Sequence, residues 1–363
     1  MNEIGEHNSQ FIPTLQKSFQ NLLASIFVLV FLVSCSSFKT SLDDSGLGDM
    51  AKLILKEDFQ SNPAELESYL AALNGSLFSN TQFLKVSDLS TEPLGRWDVT
   101  LAQGQRIAPQ KLSLGSTPLF YHYRSPLGVK PEGEQRKAIL WVPGFGVSDF
   151  AFNFIQKFFL IALEQGYDVL FYVLPYHLER TVPGKKEGEG LFGSDNRANL
   201  ETVRNSLIEL QLGLQFLKDQ GITSIGAWGG SVGASYLMLL STRYNFEHLA
   251  VMIPLLDWRT LLVNGEMQPV YQRFLQKGFS PDLLNRVYGL MSPWEYPLGL
   301  SPSRFAILYA RLDQLTPSSV TLEYGSRYPQ AKLMGYDESH TTILLNEQVY
   351  KDYGKFLAEV DPL

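Results

Sequence analysis

With 363 residues, 45% of them hydrophobic and 18% charged, the chain has the composition of a globular protein and is long enough for one large domain with additions. A formal net charge of −7 offers no basic face to neutralise phosphates, which argues against nucleic acid as a partner. The single cysteine, Cys35, excludes an intrachain disulfide and a cysteine-based metal site; no metal-ligand spacing and no phosphate-binding glycine loop is visible, so no cofactor is expected.

The first feature along the chain is an apolar run from Leu22 to Val33, broken only by Ser25. It is too short to span a bilayer comfortably and suits the core of a signal peptide. It ends Leu32-Val33-Ser34-Cys35, which resembles the lipobox of bacterial lipoproteins. That resemblance implies a signal peptide over 1–34 and a lipid on Cys35. The mature chain would then be anchored in the bacterial cell envelope. With Ser36 rather than Asp after the cysteine, the outer membrane is the expected site. The segment before the run departs from a good signal, because Lys17 is its only lysine or arginine. An uncleaved signal anchor is the alternative. Residues 35–49, dominated by Ser, Asp and Gly, read as a tether. Residues 50–95 read as a helical segment, with Asn62-Pro63-Ala64-Glu65 as a helix start, Leu66, Leu70 and Leu73 on one face, and Gly75 as the stop.

From residue 96 onward the pattern is strand, helix, strand. Strand-like runs occur at 97–101, 118–124, 138–142, 168–174, 225–229, 249–253, 305–309 and 331–334. Between them the spacing predicts a helix from Ser148 or Asp149 to Gly166, and a second over 199–220. In the second, Leu200, Val203, Leu207, Leu210, Leu214 and Leu217 step by three and four. A third opens after Ser231 and a last one covers 348–360. Strands alternating with helices predict an α/β fold with a mostly parallel, doubly wound sheet. Between about 255 and 302 the strand pattern lapses into prolines and aromatics, among them Trp258. An insertion of that length reads as a cap over the sheet's C-terminal edge, its aromatics filling a core of its own, a substrate pocket, or both.

The chemistry centres on Gly229-Gly230-Ser231-Val232-Gly233, between a short apolar strand and a helix. A turn that tight needs neighbours with almost no side chain, and it holds the serine hydroxyl at the end of the strand. A serine needs a base and a carboxylate to orient that base. Of the histidines, His340 lies in a polar loop just after a late strand; His122 and His248 read as structural, and His177 as a loop residue at the rim of a pocket. Asp313, in the loop after the 305–309 strand, is the candidate acid. Asp257 is its rival, and Asp337 reads as shaping the turn before His340.

The order Ser231, Asp313, His340 resembles the serine–acid–histidine order of the α/β-hydrolase superfamily, over about residues 118–360. The interval after Ser231 leaves room for the cap insertion, which follows the sixth strand, and the interval to His340 holds one helix and one strand. Pro143-Gly144-Phe145-Gly146 resembles the oxyanion loop, with proline where the family often has histidine. The resemblance implies backbone N–H donors from Phe145 and Val232, and a serine hydrolase acting on a small-molecule or lipid ester. A non-catalytic lipoprotein of the same fold, binding a ligand or an envelope partner, is the alternative. Acyl transfer to an acceptor other than water would use the same residues.

Overall fold

The structure is a computed structural model and describes residues 36–79, 84–128 and 136–361. The expected signal core, the lipobox and Cys35 lie outside the described residues. Among the described residues no helix is long and apolar enough to cross a membrane.

The strands are β1 (Leu89–Pro93), β2 (Val99–Thr100), β3 (Arg106–Ile107), β4 (Gln110–Leu114), β5 (Thr117–Tyr123), β6 (Lys137–Val142), β7 (Tyr167–Tyr172), β8 (Ser224–Gly230), β9 (Leu249–Met252), β10 (Phe305–Ala310) and β11 (Lys332–Tyr336). Nine form one sheet in the order β1-β4-β5-β7-β6-β8-β9-β10-β11, while β2 and β3 pair separately. From β7 to β11 every neighbouring pair is parallel, and the β1, β4, β5 edge joins antiparallel. This is the doubly wound, mostly parallel sheet of an α/β-hydrolase fold. β1 extends it toward the N-terminus, so the sheet begins before residue 96. Residues 50–95 are therefore not a purely helical segment.

The central strands read as unbroken apolar runs because both faces are covered. On β6, Ala138, Leu140 and Val142 face one core, and Ile139 and Trp141 the other. The first core is roofed by α4 (Asn196–Asp219), α5 (Ser231–Ser241) and α9 (Ser318–Ser326). The second lies under α3 (Asp149–Glu164) and α10 (Glu347–Val360) and is rich in aromatic rings. Trp141 and Trp228 stack there with centroids 4.3 Å apart. Such a pair contributes about 1 kcal/mol beyond its buried area.

The helix ends follow the sequence signals. α2 (Pro63–Leu73) is capped by Asn62, whose side chain accepts from the N–H groups of Ala64 and Glu65, and it buries Leu66, Leu70 and Leu73. Asn74 closes it in a left-handed conformation. Ser148 caps α3. Between β9 and β10 lie three helices, α6 (Trp258–Val263), α7 (Gln268–Gln276) and α8 (Pro281–Met291). They leave the sheet beside the serine, where the Leu255 N–H bonds the Ser231 carbonyl at 3.2 Å. Their apolar faces, including Trp258, Phe274 and Val287, join the α4–α5 core rather than forming a separate one.

The largest departure from expectation is at the N-terminus. Residues 36–49 are not a tether: they are the greater part of α1 (Ser36–Leu55), a 20-residue helix. Of its buried positions, Lys39, Asp43, Leu47, Ala51 and Ile54 step by four, four, four and three along one face, with Gly48 beside them. The first two are charged, so no apolar stripe marks the face. Serine, aspartate and glycine are moderate to poor helix formers, and the helix owes its order to what that face meets.

Candidate active site

β8 ends at Gly230, and the chain turns at once into α5 with Ser231 as its first residue. Ser231 has φ +49°, a left-handed backbone that costs a serine about 1–3 kcal/mol and persists because the surroundings enforce it. Gly233 is part of that enforcement. A Cβ there would lie 2.3 Å from the carbonyl oxygens of Val142 and Pro143, so α5 can start this close to β6 only with glycine at that position. The strain aims the side chain out of the sheet's C-terminal edge.

β10 and β11 end in the loops that carry the candidate acid, Asp313, and the candidate base, His340. The Ser231 Oγ is 2.9 Å from His340 Nε2, and His340 Nδ1 is 2.8 Å from Asp313 Oδ2. Because an ionised carboxylate only accepts, Nδ1 carries the proton and donates to Asp313. Nε2 is then left with a lone pair for the serine O–H. Asp313 is itself fixed: Oδ1 accepts from the N–H groups of Leu315 and Thr316 at 2.8 and 2.7 Å, and Oδ2 from the Thr316 hydroxyl at 2.7 Å. Burial pulls the His340 pKa down, but the charge and hydrogen bond of Asp313, with a smaller push from Asp43, outweigh it. The imidazole therefore titrates above the ordinary value of 6.5.

Asp257, the rival acid, is engaged elsewhere. It caps α6 through the Arg259 N–H, pairs with the Arg259 guanidinium at 2.8 Å and accepts from the Ser292 hydroxyl at 3.1 Å. Asp337 pairs with Arg311 at the surface.

The Pro143–Gly146 loop packs against the serine, with Gly144 so near that a Cβ there would sit 3.2 Å from the Ser231 Cβ. His177 holds the other side of that loop: its Nε2 accepts from the Gly146 N–H, and its Nδ1 donates to the Pro175 carbonyl, both at 2.8 Å. Only 1% exposed and with both ring nitrogens engaged, His177 supports the loop. Burial pushes its pKa down to about 4, which keeps the accepting Nε2 unprotonated at neutral pH. Phe145 thus lies between a glycine pressed on Ser231 and a glycine tied to His177. Val232, in the first turn of α5, has an N–H with no carbonyl one turn earlier in the helix to accept it.

Trp258 is buried, donates its indole N–H to the Ser235 hydroxyl at 2.8 Å, and meets Phe192 edge-on at 4.6 Å. With Met50, Ile54, Met267 and Phe274 it lines a small apolar cavity between α1 and the insertion. His122 and His248 are 2% exposed, His122 beside Asp168 and His248 against Gly226. Among the described residues no cluster of His, Cys, Asp and Glu could hold a metal ion.

No family model and no curated protein matches the sequence. Solved structures do match. An acylaminoacyl peptidase of Pyrococcus horikoshii is 14% identical at a TM-score of 0.46, over 74% of this chain and 41% of its own. An esterase of Pyrococcus furiosus is 16% identical at 0.44, over 77% of this chain and 99% of its own. An acetyl xylan esterase from Paenibacillus sp. R4 is 13% identical at 0.49, over 86% of this chain and 98% of its own. The chain thus spans about two fifths of the peptidase's length.

Proposed function

We propose that the chain is a serine hydrolase that cleaves an ester or related acyl bond through Ser231, His340 and Asp313. The observation that carries this reading is the unbroken relay from the Ser231 hydroxyl through His340 to Asp313, at 2.9 and 2.8 Å. A serine, histidine and aspartate meet in that order and tautomer to make a nucleophile, and no folding need requires it.

In the proposed reaction the Ser231 Oγ bonds to the acyl carbon while its proton passes to His340 Nε2. The carbonyl oxygen, now negative, is met by the Val232 and Phe145 N–H groups, donors of a kind worth about 3–4 kcal/mol each in the transition state. Collapse breaks the bond to the leaving group, which takes the proton from His340 and departs as the alcohol. Water then attacks the acyl-enzyme, giving one proton to His340. The second collapse breaks the serine ester, returns that proton to Oγ and releases the carboxylic acid. Asp313 stays ionised and steadies the imidazolium in both halves.

The test is labelling of the full chain with a fluorophosphonate, followed by a panel of esters. One equivalent bound to wild type, at Ser231, is the expected result; a folded protein that takes up no label would overturn the reading. The rate should also rise with pH as His340 loses its proton, since only the neutral ring is a base. With its pKa raised, the acid limb of kcat/KM is expected to have its midpoint above pH 6.5. A midpoint at or below that value would contradict the Asp313 coupling.

We further propose that Cys35 carries a lipid and holds the enzyme at a membrane of the bacterial envelope, supported by the apolar run before it and by the lipobox-like Leu32-Val33-Ser34-Cys35. Cys35→Ala is then expected to move the protein from the detergent phase to the aqueous phase in a Triton X-114 partition. An unchanged partition would reject the anchor.

A further inference from the structure

We propose that Asp43, on α1, is a positioning residue for the triad, its carboxylate tying the loop that carries Asp313 to the loop that carries His340; this rests on the hydrolase reading above. The carboxylate is 1% exposed, and its partners come from the far end of the chain. Its Oδ2 accepts from two backbone groups at once, the Gln314 N–H at 3.2 Å and the His340 N–H at 2.9 Å. Its Oδ1 accepts from the Thr341 N–H and hydroxyl, both at 3.0 Å. Gln314 directly follows the acid, and His340 is the base itself. One oxygen atom therefore bridges the two strand-end loops whose separation sets the Asp313–His340 distance.

One turn earlier on α1, Lys39 donates to the Asp337 carbonyl and pairs with Glu338, both at 2.7 Å. The helix thus grips residues 337–341 at two successive turns. A carboxylate is needed at Asp43 because four donors converge on it and no neutral side chain of that size offers four acceptor sites. Without it the Gln314 and His340 amides lose their acceptor, and the backbone bonds left between the two loops stand nearer the strands, from the Arg311 N–H to the Tyr336 carbonyl at 2.8 Å and from the Leu312 N–H to the Glu338 carbonyl at 2.9 Å. Displacing a catalytic group by about 1 Å typically costs about 10²-fold in rate.

The charge acts as well. The ionisable groups nearest His340 are Asp313, from the loop after β10, and Asp43, from α1; the Lys39–Glu338 and Arg311–Asp337 pairs stand outside them. Asp43 therefore favours the imidazolium that forms as Ser231 attacks, in the same sense as Asp313.

The experiment compares wild type with Asp43→Asn and Asp43→Ala in the full chain. It measures thermal unfolding, kcat and KM across pH, and the NMR titration of the His340 imidazole. Asparagine is isosteric, so Asp43→Asn carries the test if Asp43→Ala does not fold. The expected result for Asp43→Asn is a kcat lower by about 10–100-fold with KM nearly unchanged, and a His340 titration moved to lower pH. A variant that unfolds at lower temperature but keeps the wild-type kcat and His340 titration overturns the proposal, because Asp43 would then only stabilise the fold. If wild type hydrolyses nothing, the hydrolase reading has failed, and the titration still decides on Asp43. A shift to lower pH supports the clamp, and no shift removes it.

Discussion

Replacing Ser231 with alanine is expected to lower kcat toward an activated ester by about 10⁵–10⁶-fold while leaving KM within a few-fold of wild type. The loss is expected to be large because the proposed triad would work as one unit: without Oγ there is no acyl-enzyme, and His340 and Asp313 have nothing to activate. His340→Ala should cost nearly as much, and the double variant little more than either. What remains is the catalysis of the oxyanion donors and substrate binding alone. Fluorophosphonate uptake should vanish with the activity. Retention of more than about a tenth of the wild-type rate would show that another residue is the nucleophile, since removal of a true one is not so mild. The fold should tolerate the change, because the left-handed φ of +49° at residue 231 is imposed by the strand, the helix and the close packing of Gly233.

The second large effect separates two carboxylates. Asp313→Asn is expected to reduce kcat by about 10⁴-fold, because an amide turned toward Nδ1 can present its NH₂ and stabilise the wrong tautomer of His340. Nε2 would then hold the proton and could not accept one from Ser231. Asp257→Asn should leave kcat within a few-fold, since that carboxylate caps α6 and pairs with Arg259. Asparagine is as good a cap as aspartate, the lost ion pair is only partly exposed and worth about 1 kcal/mol, and Arg259 keeps its pairing with Glu295. Steady-state kinetics on the two variants decides the assignment. If Asp257→Asn is the crippled one, the acid has been misidentified.

Most of this site was legible in the sequence because its signals are local. Gly229-Gly230-Ser231-Val232-Gly233 announces its own turn, and the strand before it and helix after it are periodic enough to place it. Asp313 and His340 each follow an apolar strand, so both were expected at the same sheet edge. Leu66, Leu70 and Leu73 on α2, and the leucines of α4, were readable because their buried faces are apolar. The choice between Asp313 and Asp257 was not readable, because both follow strands, and only the 2.8 Å contact with His340 distinguishes them. Nor was the role of His177, which depends on a backbone amide in a different loop. α1 was hidden most thoroughly. The inward face of its first half is Lys39 and Asp43, residues that composition assigns to solvent, and their partners lie near the other terminus. Periodicity detects a helix that buries oil. It does not detect one that buries charge against loops elsewhere in the chain.

That contact also bears on when the enzyme becomes competent during synthesis. Asp43 and His340 are separated by 297 residues, so the loop their hydrogen bond closes contains nearly every strand and helix described here. Contacts of such separation carry the greatest closure entropy and form late. Residue 43 leaves the ribosome 297 residues before His340, and that stretch must be made and folded before the two can meet. The turn at Ser231 rests on contacts with β6 and needs none of this, but until then the acid and base loops are not held together. The sheet can thus form around a serine that is still inert, and docking of α1 onto the Asp313 and His340 loops is the step that completes the proposed enzyme.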